Sequence, residues 1–242
     1  MKKVILLTGG TKGIGNAILN QLIKKTSYYI GFTYLNSNVI AKEISNQYQD
    51  RVLPYQSDLQ DSHANKHFLA AVLKKWGQID GLINNASISL EGLLETTPVK
   101  AIKNCLATNI EGSLILTKDT IPYLRQSCNK PFILNISSIW GAKGASCETV
   151  YAMTKGALNQ MTTSLGKELG PCHIRTMGIA PGYINTDMTA SYSQEDIIEF
   201  LKEVPLKRIG KPDEVAELAV FMMEKGTYLN GLTVSIDGGY GI

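Results

Sequence analysis

The feature that most constrains the fold is an apolar segment followed directly by a glycine-rich turn and a helix. Residues 4–8 read VILLT, a continuous apolar run typical of a strand buried on both faces of a sheet. The segment GGTKGIG follows at once, and Ile14, Ile18 and Leu22 then recur at helical spacing. The predicted order is therefore strand, glycine turn and helix.

This alternation of strands and helices continues along the chain. Six further segments look like strands: 28–34, 51–55, 81–86, 131–137, 174–180 and 233–237. Between them, helical periodicity covers 39–49, 61–76, 98–127, 149–169, 195–204 and 213–224. Parallel strands need crossover connections, which helices usually supply. We therefore expect an α/β fold, a doubly wound (Rossmann) parallel sheet of about seven strands with helices on both faces.

Composition narrows the class of protein. Of the 242 residues, 44% are apolar and 19% are charged, which is ordinary for a globular domain. Without a repeat, low-complexity linker or composition break, we expect residues 1–242 to form one domain. A net charge of +3 with no basic run longer than two residues argues against nucleic-acid binding.

Three further observations predict a cytoplasmic protein that does not enter a membrane. The apolar run at the N-terminus is shorter than the core of a signal peptide, and no apolar stretch approaches the ~18–20 residues that span a bilayer. The four cysteines have no C-x-x-C spacing, so we interpret them as reduced thiols.

The glycine turn is a candidate phosphate site. Gly9, Gly13 and Gly15 have no Cβ, so the backbone can approach a pyrophosphate at the N-terminus of the helix. The spacing is G-x-x-x-G-x-G rather than G-x-G-x-x-G, and no Gly-Lys-Ser/Thr follows as in a P-loop. A glycine turn that binds nothing is the alternative.

The end of the second strand predicts which dinucleotide would bind. In dinucleotide folds an acid at this place binds the ribose 2′-hydroxyl of NAD. Here the segment 33–38 reads TYLNSN, without Asp or Glu, and Lys12 could offer positive charge to a 2′-phosphate. We therefore expect NADPH, with Asn36 and Ser37 among the cofactor contacts. An exposed surface lysine is the alternative for Lys12.

The segment YAMTK places Tyr151 and Lys155 on one helical face, because residues i and i+4 are neighbours on a helix. One such pair is expected by chance in a chain of this composition. Its meaning depends on the surrounding motifs.

Those motifs occur in a characteristic order. The chain carries TGGTKGIG, DL at 58–59, NNAS at 84–87, TN at 108–109, ISS at 136–138, YAMTK, APGYINTDM, VPLKRIGKPDEVA and a terminal DGG. With this array it resembles the short-chain dehydrogenase/reductase family over essentially its whole length. Within that family it looks most like the 3-oxoacyl-[acyl-carrier-protein] reductases.

The resemblance implies a single NAD(P)-binding catalytic domain and a set of cofactor contacts. Besides the three glycines and Lys12, Asn36 and Ser37, the implied contacts are Thr11, Ile14, Asp58, Leu59, Asn85, Ala86, Tyr151, Lys155, Pro181, Gly182, Ile184 and Thr186. No metal is implied, and His63, His67 and His173 lack the spacing of a metal site.

The resemblance also implies a catalytic group of Asn109, Ser138, Tyr151 and Lys155. Tyr151 would donate a proton to the substrate and Ser138 would hydrogen-bond its carbonyl. Asn109 would hold a water that refills the proton chain, and Lys155 would anchor the cofactor ribose. A neighbouring ammonium favours phenolate, so we expect Lys155 to lower the pKa of Tyr151.

The implied activity is NADPH-dependent reduction of a 3-oxoacyl thioester, on acyl carrier protein or coenzyme A, in fatty-acid biosynthesis by a homotetramer. Alternatives are a reductase of another ketone, sugar or polyketide, and a non-catalytic nucleotide sensor on the same scaffold. The intact catalytic group argues against a sensor.

Several positions depart from the family pattern. Ser87 replaces a glycine and Met177 an asparagine, both near the expected cofactor site. Of the basic residues expected near the entrance for an acidic carrier, Lys130 matches one, while Cys172 or His173 occupies the other place.

Two apolar features allow two interpretations each. In the predicted lid over residues 189–204, Ile197, Ile198, Phe200 and Leu201 could line an acyl channel or pack into the core. Trp140, two residues after Ser138, could form a wall of the substrate site or simply pack. Met222 and Met223 are predicted to lie in the core.

Overall fold

The computed structural model describes residues 3–190 and 192–241. Its seven strands are β1 (Val4–Leu7), β2 (Tyr29–Tyr34), β3 (Val52–Gln56), β4 (Gly81–Asn84), β5 (Phe132–Ile136), β6 (Arg175–Pro181) and β7 (Leu232–Ile236). They form one sheet in the order β3-β2-β1-β4-β5-β6-β7, and each neighbouring pair is parallel. The predicted parallel sheet of seven strands is confirmed.

Helices connect the strands and cover both faces of the sheet. They are α1 (Gly13–Lys25), α2 (Asn38–Tyr48), α3 (Ser62–Trp76), α4 (Val99–Leu106), α5 (Ser113–Leu124), α6 (Trp140–Lys143), α7 (Thr149–Leu169), α8 (Gln194–Glu203) and α9 (Pro212–Glu224). The helix predicted over 98–127 is divided by a π-helical segment at Ala107–Gly112. The short helix α6 was not predicted.

The core lies in two layers, one on each face of the sheet, and β1 contributes to both. Ile5 and Leu7 pack into the layer that holds buried residues of α1 and α9, including Met222 and Met223. Val4 and Leu6 point the other way, into the layer with α3 and α5. Alternate residues of a strand face opposite sides, so the continuous apolar run of β1 reflects burial on both faces. The core position of the two methionines is confirmed.

The strand order changes direction between β1 and β4, because the chain first builds outward to β3 and then returns to the other side of β1. In open parallel sheets, ligands bind beyond the carboxyl ends of the strands at such a switch point. The loops after β1, β4, β5 and β6 all meet at this edge. Within the described residues, no helix is both long and apolar enough to cross a bilayer.

Candidate active site

The turn after β1 requires glycine for two separate reasons. Gly9 has a φ of +71°, in the left-handed region that strains residues with a side chain. A Cβ on Gly15 would lie 2.0 Å from the carbonyl oxygen of Gly9. The first turn of α1 therefore packs directly against the turn after β1, leaving the backbone exposed to a ligand.

Asn85, which follows β4, holds this turn in place. Its side-chain Nδ2 donates to the carbonyl oxygens of Thr8 (2.9 Å) and Gly9 (3.1 Å). The backbone N–H groups of Asn85 and Ala86 donate to Thr8 Oγ1 at 2.9 and 3.0 Å. Asn85 thus braces the two loops across the switch point, and its amide nitrogen is used within the protein.

A cleft of about 1050 Å³ opens at this edge of the sheet. Every cofactor contact predicted from the sequence lines it: Gly9, Thr11, Lys12, Gly13, Ile14, Gly15, Asn36, Ser37, Asp58, Leu59, Asn85, Ala86, Tyr151, Lys155, Pro181, Gly182, Ile184 and Thr186. Ser138 lines the same cleft. The fold therefore brings together residues that are spread over more than 170 positions of the sequence.

Lys12 is not isolated on the surface of the glycine turn. Its ammonium lies 3.8 Å from the carboxylate of Asp187, in the loop after β6, and both side chains are mostly exposed. An exposed ion pair of this kind contributes little to stability, about 0–1 kcal/mol. Lys12 therefore links the glycine turn to the loop that faces it across the cleft.

Tyr151 lies in the first turn of α7 and lines the cleft together with Ser138. Burial raises the pKa of Tyr151 well above its usual value, and the charge of Glu148 raises it further, while the Ser138 hydrogen bond lowers it. The expected lowering of the Tyr151 pKa is not found in the chain by itself, because burial of the phenol outweighs the favourable interactions.

Lys155 is buried one turn further along α7. Its Nζ donates to the carbonyl oxygen of Ile136 at 3.0 Å and lies 5.5 Å from the centroid of the Tyr151 ring. Burial lowers the pKa of Lys155 to about 8, because the protein replaces the water that would solvate the ammonium. Ser137 Oγ donates to the carbonyl oxygen of Lys155 at 2.9 Å, which fixes α7 against the end of β5.

Asn109 occupies a different position from the other three predicted catalytic residues. It lies in the π-helical segment, fully buried, and does not line the cleft. Its side chain accepts from Ile88 N (2.9 Å) and donates to Ile88 O (2.9 Å) and Thr154 Oγ1 (3.0 Å). The amide is therefore already paired, and π-helical segments of this kind often occur at functional sites.

Three residues that the sequence analysis did not select lie at the same cleft. They are Glu91 in the loop after β4, Glu148 at the start of α7, and Tyr192 in the loop before α8. The Tyr192 hydroxyl hydrogen-bonds to both carboxylates, that of Glu91 and, at 3.3 Å, that of Glu148. The only sequence signal was the position of Glu148, three residues before Tyr151.

Aromatic side chains line the cleft near α8. Trp140 packs edge-on against Phe200 and Tyr240, at centroid distances of 6.4 and 5.5 Å, and Phe200 stacks on Tyr240 at 4.9 Å. Trp140 and Phe200 both line the cleft. The interpretation that the apolar residues of α8 pack into the core is wrong, because no residue of α8 is buried and Ile198 is 59% exposed.

The departures from the family pattern lie in three different places. Ser87 lines the cleft, whereas Met177 is fully buried in the core layer with α1. Lys130 and His173 precede β5 and β6, so they lie at the amino edge of the sheet, opposite the cleft. The prediction that Lys130 lies near the entrance is therefore wrong for a single copy of the chain.

Comparisons with known proteins agree with this architecture. A family model described as short chain dehydrogenase matches residues 3–197. The 3-oxoacyl-[acyl-carrier-protein] reductase FabG of Thermotoga maritima is 32% identical to this chain, covering 98% of it and 97% of that protein. The human 3-oxoacyl-[acyl-carrier-protein] reductase is also 32% identical, covering 99% and 98%.

Among solved structures, a short-chain dehydrogenase/reductase from Serratia marcescens matches with a TM-score of 0.92 and 26% identity, covering 99% of this chain and 98% of that one. Because the family model spans most of the sequence and the relatives match over nearly its full length, the chain belongs to the short-chain dehydrogenase family of oxidoreductases.

Proposed function

We propose that this protein reduces a 3-oxoacyl thioester to the 3-hydroxyacyl thioester with NADPH, within one catalytic domain formed by residues 1–242. The observation that carries the proposal is the meeting of Ser138, Tyr151 and Lys155 in the cleft that the glycine turn also lines. The names of the relatives from Thermotoga maritima and human supply the substrate class.

The residues present fit a nicotinamide dinucleotide. The turn at Gly9 and Gly15 leaves no room for a Cβ, so backbone N–H groups at the start of α1 are open to a pyrophosphate. Pro181, Gly182, Ile184 and Thr186 would hold the nicotinamide end. When bound, the reduced cofactor supplies hydride for the carbonyl carbon of the substrate.

The protein's own groups then supply the proton and hold the substrate. Ser138 Oγ donates a hydrogen bond to the substrate carbonyl oxygen, and Tyr151 donates its hydroxyl proton to the same oxygen as negative charge develops there. The raised pKa of Tyr151 keeps the phenol protonated at neutral pH, as reduction requires. Hydride on carbon and the phenol proton on oxygen together convert the ketone to the alcohol.

Two features support NADPH over NADH. The segment after β2 offers Asn36 and Ser37 rather than an acid that would repel a 2′-phosphate. Lys12 carries a mostly exposed ammonium at the cleft. Its ion pair with Asp187 is weak enough for a doubly charged phosphate to compete for the ammonium.

Asn109 would contribute to the proton chain by shaping the main chain around it, and its side-chain amide would not bind the water directly. Because that amide is paired with Ile88 and Thr154, any water that refills the proton chain would bind the main chain of the π-helical segment. Asn109 would then keep this segment in the unusual conformation that exposes its carbonyl groups.

The decisive experiment follows reduced-nicotinamide absorbance with NADPH and NADH, offering acetoacetyl-coenzyme A and a 3-oxoacyl carrier protein side by side. We expect turnover with NADPH and faster reduction of the carrier-bound substrate. Tight NADPH binding without turnover of either thioester would contradict the substrate class and favour another ketone, sugar or polyketide. Equal rates with NADH would contradict the role of Lys12.

A further inference from the structure

Glu148 is close to Tyr151 along one face of α7. It occupies the position just before the first residue of α7 and makes no capping hydrogen bond with its side chain, while its carbonyl oxygen accepts from Ala152 N at 2.8 Å. Residues three apart on a helix have Cβ atoms about 5–6 Å apart. Tyr151 therefore has an acid one turn before it and Lys155 one turn after it.

The carboxylate of Glu148 is poorly supplied with hydrogen-bond donors. The residue is only 8% exposed, so water does not replace missing partners. Oε1 accepts from the Tyr192 hydroxyl at 3.3 Å, whereas Oε2 has no partner among the described residues. Tyr192 has one hydroxyl proton and also bonds to Glu91, so two carboxylates compete for a single donor.

This shortage affects the charge of Glu148. Burial raises the pKa of Glu148 to about 7, and repulsion from Glu91 acts in the same direction, against the Tyr192 hydrogen bond. Glu148 consequently changes charge near neutral pH. No cation is among the groups that shift the pKa of Glu148 in the described part of the chain.

Three other groups lie around Tyr151, and their effects on its phenol can be distinguished from that of Glu148. A hydrogen bond with Ser138 lowers the pKa of Tyr151, whereas Cys105, like Glu148, raises it. The ammonium of Lys155 lies beside the Tyr151 ring. Among these, Glu148 is the carboxylate that acts on Tyr151.

We propose that Glu148 is a positioning residue whose negative charge holds the Tyr151 phenol in its protonated form, so that the enzyme favours ketone reduction and oxidises alcohols only at higher pH. The inference rests on the proposed function only in taking Tyr151 as the proton donor. It does not depend on which ketone is the substrate.

The two directions of the reaction respond differently to this charge. Reduction needs the protonated phenol, whereas oxidation of the alcohol needs phenolate to accept the hydroxyl proton. A carboxylate at this separation shifts the titration of the phenol by at least about one pH unit at the effective dielectric of a protein. Removing it would open oxidation at lower pH and change reduction near neutral pH little.

The primary test is a titration of Tyr151 that requires no substrate. The protein with oxidised NADP bound is titrated by tyrosinate ultraviolet absorbance, and the same protein carrying Tyr151→Phe is subtracted. In the Glu148→Gln background we expect the Tyr151 signal to appear at least about one pH unit lower. Glu148→Ala should shift it in the same direction, whereas Glu148→Asp, which keeps the charge, should titrate close to wild type.

Glu91→Gln is the matched control, because it removes an equivalent charge bonded to Tyr192 that is not among the groups acting on Tyr151. It should shift the Tyr151 titration clearly less than Glu148→Gln. As a second readout, the pH profile of alcohol oxidation by Glu148→Gln should shift to lower pH by the same number of pH units as the Tyr151 titration.

The possible failures are distinct. A Tyr151 titration that is unchanged in both Glu148→Gln and Glu148→Ala overturns the inference, even if thioesters are reduced. Loss of turnover on every thioester overturns the proposed substrate class, while the titration still decides the role of Glu148.

Discussion

Neighbouring groups act on the Tyr151 proton in opposite directions. Burial and Glu148 hold the proton on the phenol, whereas the Ser138 hydrogen bond favours its release. Lys155 lies on the same helical face as Tyr151, as the sequence predicted, but its ammonium donates a hydrogen bond to the carbonyl oxygen of Ile136. Proximity on a helical face therefore does not by itself say which residue controls the phenol.

Tyr151→Phe tests the proton donor directly. We expect kcat for ketone reduction to fall at least ~100-fold, because a positioned proton donor contributes about that much or more. NADPH affinity, measured by fluorescence titration, should stay within a few-fold of wild type because the ring is retained. Tyr123→Phe on α5, away from the cleft, is the control, and substantial turnover by Tyr151→Phe would disprove the mechanism.

Glu148→Gln also has a predicted effect on stability. The native protein holds a proton on Glu148 up to about pH 7, whereas the unfolded chain releases it near 4.5. Since the native state binds more protons in this range, the free energy of unfolding of the wild type falls as pH rises through it.

The variant lacks this loss. The free energy of unfolding of Glu148→Gln, taken relative to that of wild type at the same pH, should therefore rise by about 2 kcal/mol from pH 5 to pH 8. Urea unfolding at both pH values measures this difference. A stability difference that is the same at pH 5 and pH 8 would show that Glu148 is ionised throughout.

At the scale of elements, the first strand, glycine turn and helix were predictable because each leaves a local signal. The strand is continuously apolar, the turn needs residues without a Cβ, and α1 has helical periodicity. By contrast, the π-helical segment at Ala107–Gly112 follows the same periodicity as its neighbours. Within this segment Asn109 pairs with Ile88 and Thr154, contacts that arise only in the folded chain.

Gly15→Ala tests the close contact between α1 and the glycine turn. The added Cβ would meet the Gly9 carbonyl oxygen, so we expect a loss of about 1–3 kcal/mol in unfolding free energy. NADPH affinity should also fall, at least ~10-fold, as the turn moves. Gly77→Ala, at a positive φ with nothing within 4 Å, is the control. It should cost stability through backbone strain while leaving NADPH affinity unchanged.

At the scale of the whole molecule, we predict a homotetramer. The tetramer is what the family resemblance implies, and Leu114 on α5 and Met153 on α7, which are 50% and 63% exposed, are the candidate residues of its subunit contact. Multi-angle light scattering should give four times the mass of one chain.

A matched pair of variants would locate the contact. Leu114→Glu should lower the measured mass at micromolar concentration, whereas Asn46→Glu, an exposed position on α2, should not. A wild-type protein that runs as a single chain would refute the tetramer.

The sequence alone determined the parallel sheet, most of its helices and the glycine turn of the cleft, because burial on both strand faces, helical periodicity and the need for glycine are local properties. The other residues of the cleft came from the family resemblance. It also allowed Ser138, Tyr151 and Lys155 to be chosen through their place in a family pattern. Only the tertiary structure decided the electrostatics of the site. Glu91, Glu148 and Tyr192 come from three separate segments, and burial and competition for one hydroxyl proton exist only when the fold brings them together.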